Sequence, residues 1–231
     1  MHYEQLKYLP FFQNIDSSTL SNLAHHASMK HFNKGELLFL HGDNTEYFYI
    51  ITAGWIKLFR DTLDGQEALT GLATTGDIIG EVDFSKKLYL CSAKTINETE
   101  LLLLPYDILK ESIENDGRLA LKIIRALNST ISLLELQLEH ASTMNAAQRI
   151  GCFILRLCAN RNDKTKIKLP YDKTLLASYL GMKRETFSRA LNQLKFVGVT
   201  VKGHVLYIAS INDLVSFSCI SCSLIYDSCK G

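Results

Sequence analysis

The stretch that decides the fold is KTLLASYLGMKRETFSRALNQLKFVGV, residues 173–199. Its apolar residues recur every three or four positions on both sides of Gly181, which predicts two helices joined by a turn at this glycine. The segment VTVKGHVLYIA, residues 199–209, predicts two strands around a turn at Lys202 and Gly203. Two helices with a glycine turn, followed by a hairpin, have the element order of a winged helix-turn-helix.

The second of these helices has an apolar side and a charged side. Positions 187, 190, 191 and 194 are apolar and are spaced to face a protein core. The outward set is Lys183, Arg184, Glu185, Ser188, Arg189 and Asn192. Arginine can donate two hydrogen bonds to guanine, and glutamate can accept one from cytosine, so this set suits base edges in a DNA major groove. The alternative is an i, i+4 ion pair between Glu185 and Arg189 on a solvated helix.

Charge is distributed unevenly along the chain, although the net charge is only +1. Residues 1–143 contain 12 Lys and Arg against 19 Asp and Glu, whereas residues 144–213 contain 12 against 4. A basic second half predicts a polyanionic partner there, because clustered Lys and Arg gain free energy by displacing counterions from phosphates. A solvated basic face is the alternative, and charge alone does not exclude it.

The region 31–104 has short apolar runs that are interrupted by glycine every seven to twelve residues. This pattern is typical of an antiparallel β-sandwich or barrel, with a tight hairpin at Asp64 and Gly65. Before it, residues 4–29 predict one or two short helices, one of them capped by Asp16 or Ser17.

After Pro105 the apolar period becomes helical, and its spacing alternates between four and three. This alternation predicts a coiled-coil seam that joins two copies of the chain, with packing inside one chain as the alternative. The seam consists of Ile124, Leu127, Ile131, Leu134 and Leu138, with Ala120 and Ala141 at its ends. Leu121, Leu133 and Leu136 lie off the seam and suggest a second apolar face that packs on the β-domain.

Four segments together resemble the cAMP receptor protein/FNR family of bacterial transcription regulators. They are the recognition stretch from Tyr179 onward, GELLFLHGDNTEYFYIITAGWIKLF, TGDIIGE and CSAKTINETELLLLPYDIL, in family order between about Tyr8 and Leu214. The resemblance implies an α+β fold: an N-terminal cyclic-nucleotide-binding-like β-roll (a double-stranded β-helix), a long dimerisation helix and a C-terminal winged helix-turn-helix. The predicted segments are 1–115, 116–143 and 144–231.

The resemblance also implies partners, namely double-stranded DNA, a second copy of the chain and RNA polymerase. The homodimer would bind a palindromic operator. Glu185, Ser188 and Arg189 match the Glu-x-x-Ser-Arg pattern of the FNR-type subgroup, which implies TTGAT-like half-sites. Arg184 next to Glu185 also matches the cAMP-receptor type, so a TGTGA-like half-site stays open.

The resemblance identifies an effector pocket at Gly80, Glu81, Cys91 and Ser92. Gly80 and Glu81 match the family's Gly-Glu at the ribose position, but Cys91, Ser92 and Ala93 stand where cAMP binders have Arg-Ser-Ala. Without this arginine the phosphate charge is unmet unless Lys86 or Lys87 bends back, and an unpaired buried charge is costly. We therefore expect that cAMP is not the effector.

Two other cofactors are candidates. Cys219, Cys222 and Cys229 have the spacing Cys-x2-Cys-x6-Cys and resemble the C-terminal cysteine cluster of some family members, which predicts thiolate ligands for an iron–sulfur cluster. A tail whose thiols bind nothing is the alternative. Haem is the second candidate, suggested by a likeness to nitrogen-oxide-responsive members and by His25, His26, His31 and His41, although no ligand is assigned among them.

Other protein classes fit the sequence less well. The start has no signal-peptide pattern, and no run of eighteen apolar residues occurs, so we expect a cytoplasmic protein without a membrane partner. Glycine-rich phosphate loops, HExxH and GxSxG are absent from the sequence, so no enzyme is predicted. The alternatives are a cyclic-nucleotide-responsive regulatory subunit without DNA binding, or a scaffold whose tail binds metal.

Overall fold

The computed structural model describes residues 2–80, 82–83, 87–159, 163–170 and 172–218. The chain forms two compact units, 1–133 and 134–231. Within the described residues, no helix has both the length and the apolar character needed to cross a membrane.

The first unit begins with two short helices. They are α1 (Tyr3–Tyr8) and α2 (Ser17–His26), with a 3-10 helix at Pro10–Phe12 between them. The carboxylate of Asp16 accepts a hydrogen bond from the backbone N–H of Ser18 at 3.1 Å. This bond satisfies one of the N–H groups in the first turn of the helix that have no partner within the helix. The cap predicted at this position is therefore confirmed.

Ten antiparallel strands follow among the described residues and form the β-roll. They are β1 (Ser28–Phe32), β2 (Leu37–Phe39), β3 (Tyr47–Ala53), β4 (Trp55–Asp61), β5 (Glu67–Thr74), β6 (Ile78–Ile79), β7 (Val82–Asp83), β8 (Leu88–Tyr89), β9 (Ser92–Thr95) and β10 (Thr99–Pro105). Two four-stranded sheets, in the orders β1-β10-β3-β6 and β2-β9-β4-β5, share one apolar core, and β7 pairs with β8. The hairpin predicted at Asp64 and Gly65 joins β4 to β5.

Two helices complete the first unit and lead into the second, α3 (Tyr106–Asn115) and α4 (Gly117–Thr143). Asp116 lies between them and is buried, and its carboxylate accepts from the backbone N–H of Arg118 at 2.9 Å. The guanidinium of Arg118 lies 3.3 Å from a carboxylate oxygen of Asp16. These polar contacts fix the start of α4 on the N-terminal helices.

The predicted seam residues of α4 are exposed in the single chain. The exposed residues are Ile124, Leu127, Ile131, Leu134 and Leu138. Leu121, for which we expected packing on the β-domain, is also 54% exposed, so that expectation is wrong. Among the described residues, the core of the first unit takes only Leu119 from α4, so the helix leaves this core before it reaches Leu121. The predicted boundaries 1–115, 116–143 and 144–231 remain a prediction, since α4 spans the division between the two units.

The second unit has the predicted winged helix order. Its elements are α5 (Ala146–Ala159), β11 (Lys166–Lys168), α6 (Lys173–Tyr179), α7 (Arg184–Gln193), a 3-10 helix (Leu194–Val197), β12 (Val199–Lys202), β13 (Val205–Ile208) and α8 (Ile211–Ser218). The strands form one antiparallel sheet in the order β11-β13-β12. Helix α5 packs against α7 and α8.

Candidate nucleic-acid interface and effector pocket

Helix α7 is oriented by the turn that precedes it. Gly181 has φ +62°, a left-handed conformation that costs glycine little, and the N–H of Met182 closes the turn on the carbonyl of Ala177 at 2.9 Å. Asp172 caps α6 by accepting from the N–H of Thr174 at 2.7 Å. Lys183 occupies the N-cap of α7 and makes no side-chain cap there. The start of α7 is thus fixed by the turn and by packing rather than by a capping side chain.

The back of α7 is buried as the sequence predicts. Phe187, Ala190, Leu191 and Leu194 all lie in the core of the second unit. Ala177 on α6 is buried too, and its small side chain lets the two helices pack closely. Burial of this face determines which residues of α7 are left outside.

The outward side of α7 carries the predicted DNA-contacting residues. Lys183, Arg184, Glu185, Arg189 and Asn192 are exposed, and Ser188 is half-buried. In the described part of the chain, none of these six side chains makes a hydrogen bond or an ion pair. The ion pair between Glu185 and Arg189 that a solvated helix would favour is therefore not formed. Their donors and acceptors are directed to solvent.

At the predicted effector pocket, Gly80 is held by a close approach of two strands. Its φ is +100°, and a Cβ at this position would lie 3.0 Å from the carbonyl oxygen of Tyr47 and 3.3 Å from the Cα of Phe48. The backbone alone therefore requires glycine here. Glu81, the predicted ribose ligand, lies outside the described residues.

Cys91 and Ser92 occupy the predicted phosphate position. Cys91 is half-buried, and Ser92 is only 1% exposed. The Ser92 hydroxyl accepts a hydrogen bond from the backbone N–H of His41 at 3.0 Å. Of the two lysines considered as replacements for arginine, Lys86 lies outside the described residues. The ammonium of Lys87 lies 2.7 Å from a carboxylate oxygen of Asp107 and forms an ion pair with it.

The sequence patterns do not reveal Tyr89, a buried side chain that fills the roll beside this position. Its ring stacks on Phe39 with centroids 3.9 Å apart. Its hydroxyl donates to the carbonyl of Tyr47 at 2.8 Å and accepts from the N–H of Tyr47 at 3.1 Å. Burial, with the Tyr89 phenol beside it, raises the pKa of Tyr49 far above its ordinary value. The apolar run before Cys91 is a signal for burial of Tyr89, but not for its partners.

Arg60 is a second residue that the sequence patterns do not reveal. It lies on β4, and its Nε donates a hydrogen bond to the carbonyl of Leu90 at 2.8 Å. Leu90 immediately precedes Cys91 in the sequence. Arg60 is exposed and engaged with the backbone. A guanidinium therefore lies beside the predicted phosphate position, although the residue at that position is cysteine.

The described residues include the candidate histidines but not the candidate cysteines. Cys219, Cys222 and Cys229 lie outside the described residues. Among the residues that the structure does describe, no group of three or more His, Cys, Asp or Glu is arranged to hold a metal ion. The ring of His31 lies 3.3 Å from a carboxylate oxygen of Glu100 on the neighbouring strand, and His25 and His26 contact each other edge to face.

Comparison with known proteins accounts for both units. The cyclic nucleotide-binding domain family matches residues 29–116, and the Crp-like helix-turn-helix domain family matches residues 148–216. A solved regulatory protein from Silicibacter pomeroyi, described as a candidate cAMP-binding protein, is 30% identical, with a TM-score of 0.71 over 93% of this chain and 99% of that one. The chain belongs to the Crp/Fnr family of transcription regulators.

Other relatives agree with this assignment. The anaerobic regulatory protein of Haemophilus influenzae is 27% identical over 194 residues, which is 82% of this chain and 76% of that protein. FixK2 from Bradyrhizobium japonicum, at 22% identity, has the same fold, with a TM-score of 0.73 over 84% of this chain and 98% of that one. Helix-turn-helix regulators of this family bind DNA and are dimeric, and the family is not one of enzymes.

Proposed function

We propose that the chain is a cytoplasmic homodimeric regulator that binds a palindromic operator with TTGAT-like half-sites and acts with RNA polymerase. Each α7 would lie in a major groove, and the two would be one helical turn apart. The observation that carries the proposal is the outward side of α7, where Arg184, Glu185 and Arg189 are exposed and unpaired within the described chain. One side of α7 is buried in the core, and the charged side chains on the opposite side have no partners within the described chain. Such a surface suits a polyanion outside the protein.

The roles of individual residues are assigned from their chemistry. Arg189 suits bidentate donation to a guanine, and Glu185, one turn earlier, suits acceptance from a cytosine of a neighbouring pair. Lys183 and Arg184 at the start of the helix suit a phosphate or a base. Ser188 and Asn192 complete the face as shorter donors and acceptors. Because Glu185 and Arg189 do not pair with each other in the free protein, both are available to DNA.

Dimerisation through α4 is supported by the exposed seam. Large aliphatic side chains recur at alternating spacings of four and three and remain in solvent in the single chain. Complete burial of a fully exposed side chain of this kind is worth about 1.5 to 3 kcal/mol, and the seam residues, which are 43% to 74% exposed, would gain the corresponding part of it. Five on each subunit give a strong driving force for a coiled coil.

The proposal is tested by selection from a random-sequence duplex pool with the full-length protein at low salt. We expect enrichment of one inverted repeat, and the enriched half-site decides between TTGAT and TGTGA. A regulatory subunit without DNA binding, or a metal-binding scaffold, predicts no enrichment. Recovery of unrelated sequences only, or a protein that stays monomeric, would contradict the proposal.

The signal is proposed to be a redox, gas or small-molecule stimulus other than cAMP. Position 91 has cysteine instead of arginine, Lys87 is engaged by Asp107, and Tyr89 fills the adjacent interior. The relatives in Haemophilus influenzae and Shewanella oneidensis are named an anaerobic regulatory protein and an electron transport regulator. Isothermal titration with cAMP is expected to show no heat of binding. Saturable binding by the native protein would overturn this expectation, and Arg60 would then be the first arginine to substitute.

A cofactor is tested by spectroscopy, since the described residues assign no ligands to one. An iron–sulfur cluster on Cys219, Cys222 and Cys229 predicts a brown protein that absorbs at about 400 nm when purified without oxygen, and replacement of the three cysteines by serine should abolish the colour. Haem would give a Soret band that survives this replacement. A colourless preparation without iron would count against both cofactors.

A further inference from the structure

One hydrogen bond joins the dimerisation helix to the helix-turn-helix inside the second unit. The side-chain amide of Gln137 on α4 donates to the hydroxyl oxygen of Tyr179 at 2.7 Å. Tyr179 is the last residue of α6, and only the C-cap Leu180 separates it from the turn at Gly181. The contact therefore lies where α6 leads into α7.

The ring of Tyr179 is held by two side chains of α5. The guanidinium carbon of Arg156 lies 5.3 Å from the centre of the Tyr179 ring and 5.5 Å from the centre of the Phe153 ring. The two rings are 5.8 Å apart and tilted by 56°. Cation–π contacts of this kind orient a side chain without neutralising the cation. The contacts with Arg156 and Phe153 thus orient the Tyr179 ring so that its hydroxyl faces α4.

Gln137 lies on the same helix as the seam. Leu134 and Leu138 flank it and are exposed, whereas His140, three residues after Gln137, is buried. The last turns of α4, which belong to the second unit, are therefore buried on one side and have aliphatic residues exposed to solvent on the other. A contact that fixes α6 on this part of α4 also fixes it relative to Leu134 and Leu138, the two seam residues of the same unit.

We infer that Tyr179 and Gln137 are positioning residues that set the distance between the two half-sites of the operator. This inference rests on the proposed homodimer on a palindromic operator. The seam on α4 defines the two-fold axis, and α6 packs on α7, so the angle of α6 on α4 determines where each α7 meets the DNA. Half-site spacing mirrors this geometry. Neither residue contacts a base in this arrangement.

The test uses the full-length protein and duplexes in which the selected half-sites are kept and the spacer is lengthened or shortened by single base pairs. The native protein is expected to prefer one spacer strongly. Tyr179→Phe removes only the hydroxyl, and the preference for the native spacer over a neighbouring one should fall by about five- to tenfold, as for loss of one hydrogen bond. Gln137→Ala should do the same, and the double variant should be no worse than either single variant, because both remove the same bond.

Two controls separate positioning from simple damage. Tyr207→Phe removes a hydroxyl from the same unit, on the sheet, where its ring lies 5.9 Å from the ammonium of Lys166, and should leave the spacer preference unchanged. Binding of each variant to a duplex with a single half-site should equal that of the native protein. Sedimentation should show that the variants remain dimers.

The outcomes are distinct. If the native protein enriches no inverted repeat, the proposed function fails and this inference falls with it. If the native protein prefers one spacer and Tyr179→Phe keeps that preference, the inference alone is overturned. Equal losses on single half-sites, or the same broadening in Tyr207→Phe, would also overturn it. Should Tyr179→Phe unfold at the assay temperature, Gln137→Ala, which leaves the contacts of the Tyr179 ring intact, decides the question.

Discussion

The two regions predicted to contact a ligand differ in what their side chains already do. On α7 the predicted DNA-contacting residues are exposed, apart from the half-buried Ser188, and their side chains have no hydrogen-bond or ion-pair partners in the described chain. In the β-roll, Ser92 is bonded to the backbone of His41, and Tyr89 is stacked on Phe39 and bonded to Tyr47. These polar side chains of the β-roll thus stabilise the β-roll itself. Within the described residues, the outward side chains of α7 make no hydrogen bond or ion pair that would stabilise the second unit.

This contrast bears on how much each sequence match implies about binding. A match on an exposed, unpaired face has no structural explanation and points outward to a ligand. A match on a buried residue with internal partners has a structural explanation already. The DNA-binding match is therefore stronger evidence of binding than the cyclic-nucleotide match.

The largest effect is expected from a charge in the seam, since the α7 surface must be presented twice. Ile131→Asp places a carboxylate where a coiled coil would bury it, and should convert the dimer to a monomer and abolish operator binding. Sedimentation and gel shift measure both effects. Leu121→Asp is the matched control: it is similarly exposed on the same helix but off the seam, and should leave the dimer intact. A dimeric Ile131→Asp protein would contradict dimerisation through the seam.

The next effect concerns the unpaired face. Arg189→Ala should weaken operator binding by about 1 to 3 kcal/mol and relax the preference at one G·C pair. Lys183→Ala, also exposed, should weaken binding to all sequences about equally and lower the salt dependence by about one phosphate contact. Titration against the operator and single-base variants measures both changes. Indistinguishable profiles for the two variants would contradict the roles assigned to them.

A smaller effect tests the internal use of polar groups in the β-roll. Next to the Pro105–Tyr47 pair, the ladder bond runs from the N–H of Tyr106 to the carbonyl of Glu46, so the N–H and carbonyl of Tyr47 face away from β10 and bond to the Tyr89 hydroxyl. Tyr89→Phe should lower the free energy of unfolding by about 1 to 3 kcal/mol, because buried backbone groups lose their partner. Urea denaturation measures it. Tyr8→Phe, at an exposed tyrosine, is the control and should change little. If the two variants have the same free energy of unfolding, the Tyr89 hydroxyl does not stabilise the β-roll.

The smallest effect is in the pH dependence of stability. Burial alone would raise the pKa of Asp116, but hydrogen bonds from the N–H groups of Arg118 and Asp16 and the charge of Arg118 outweigh it and lower the pKa. Hydrogen bonds from Ser18 likewise lower the pKa of Asp16. A lowered pKa in the folded state stabilises the protein above the ordinary value of 3.8, and this contribution is lost as the pH falls through the lowered value.

Thermal unfolding between about pH 5 and about pH 2 measures this contribution. Asp116→Asn should flatten the acid limb of the melting-temperature profile relative to the native protein, and Asp64→Asn at the hairpin should not. An unchanged acid limb in Asp116→Asn would show that the start of α4 does not depend on this carboxylate.

The fold was largely predictable because it depends on local signals. The helical period of 173–199 fixes which side of α7 is buried, and the Asp16 cap and the Gly181 turn are each specified by adjacent residues. Contacts between distant residues were not predictable in this way. Tyr89 meets residues 39 and 47, Arg60 meets Leu90, and Gln137 meets Tyr179, none of which a period or a spacing reveals. The expectation for Leu121 is wrong because an apolar residue beside a seam gives the same sequence pattern whether or not a second surface covers it.

Gly80 bears on how nucleotide pockets are recognised in other chains with this roll. The two strands at this point run so close that any side chain would strike the backbone of residues 47 and 48. A chain that had lost every trace of ligand binding would still have to keep this glycine to close the roll. A glycine at this position therefore indicates that the two strands pack closely. It does not indicate whether the roll binds a nucleotide.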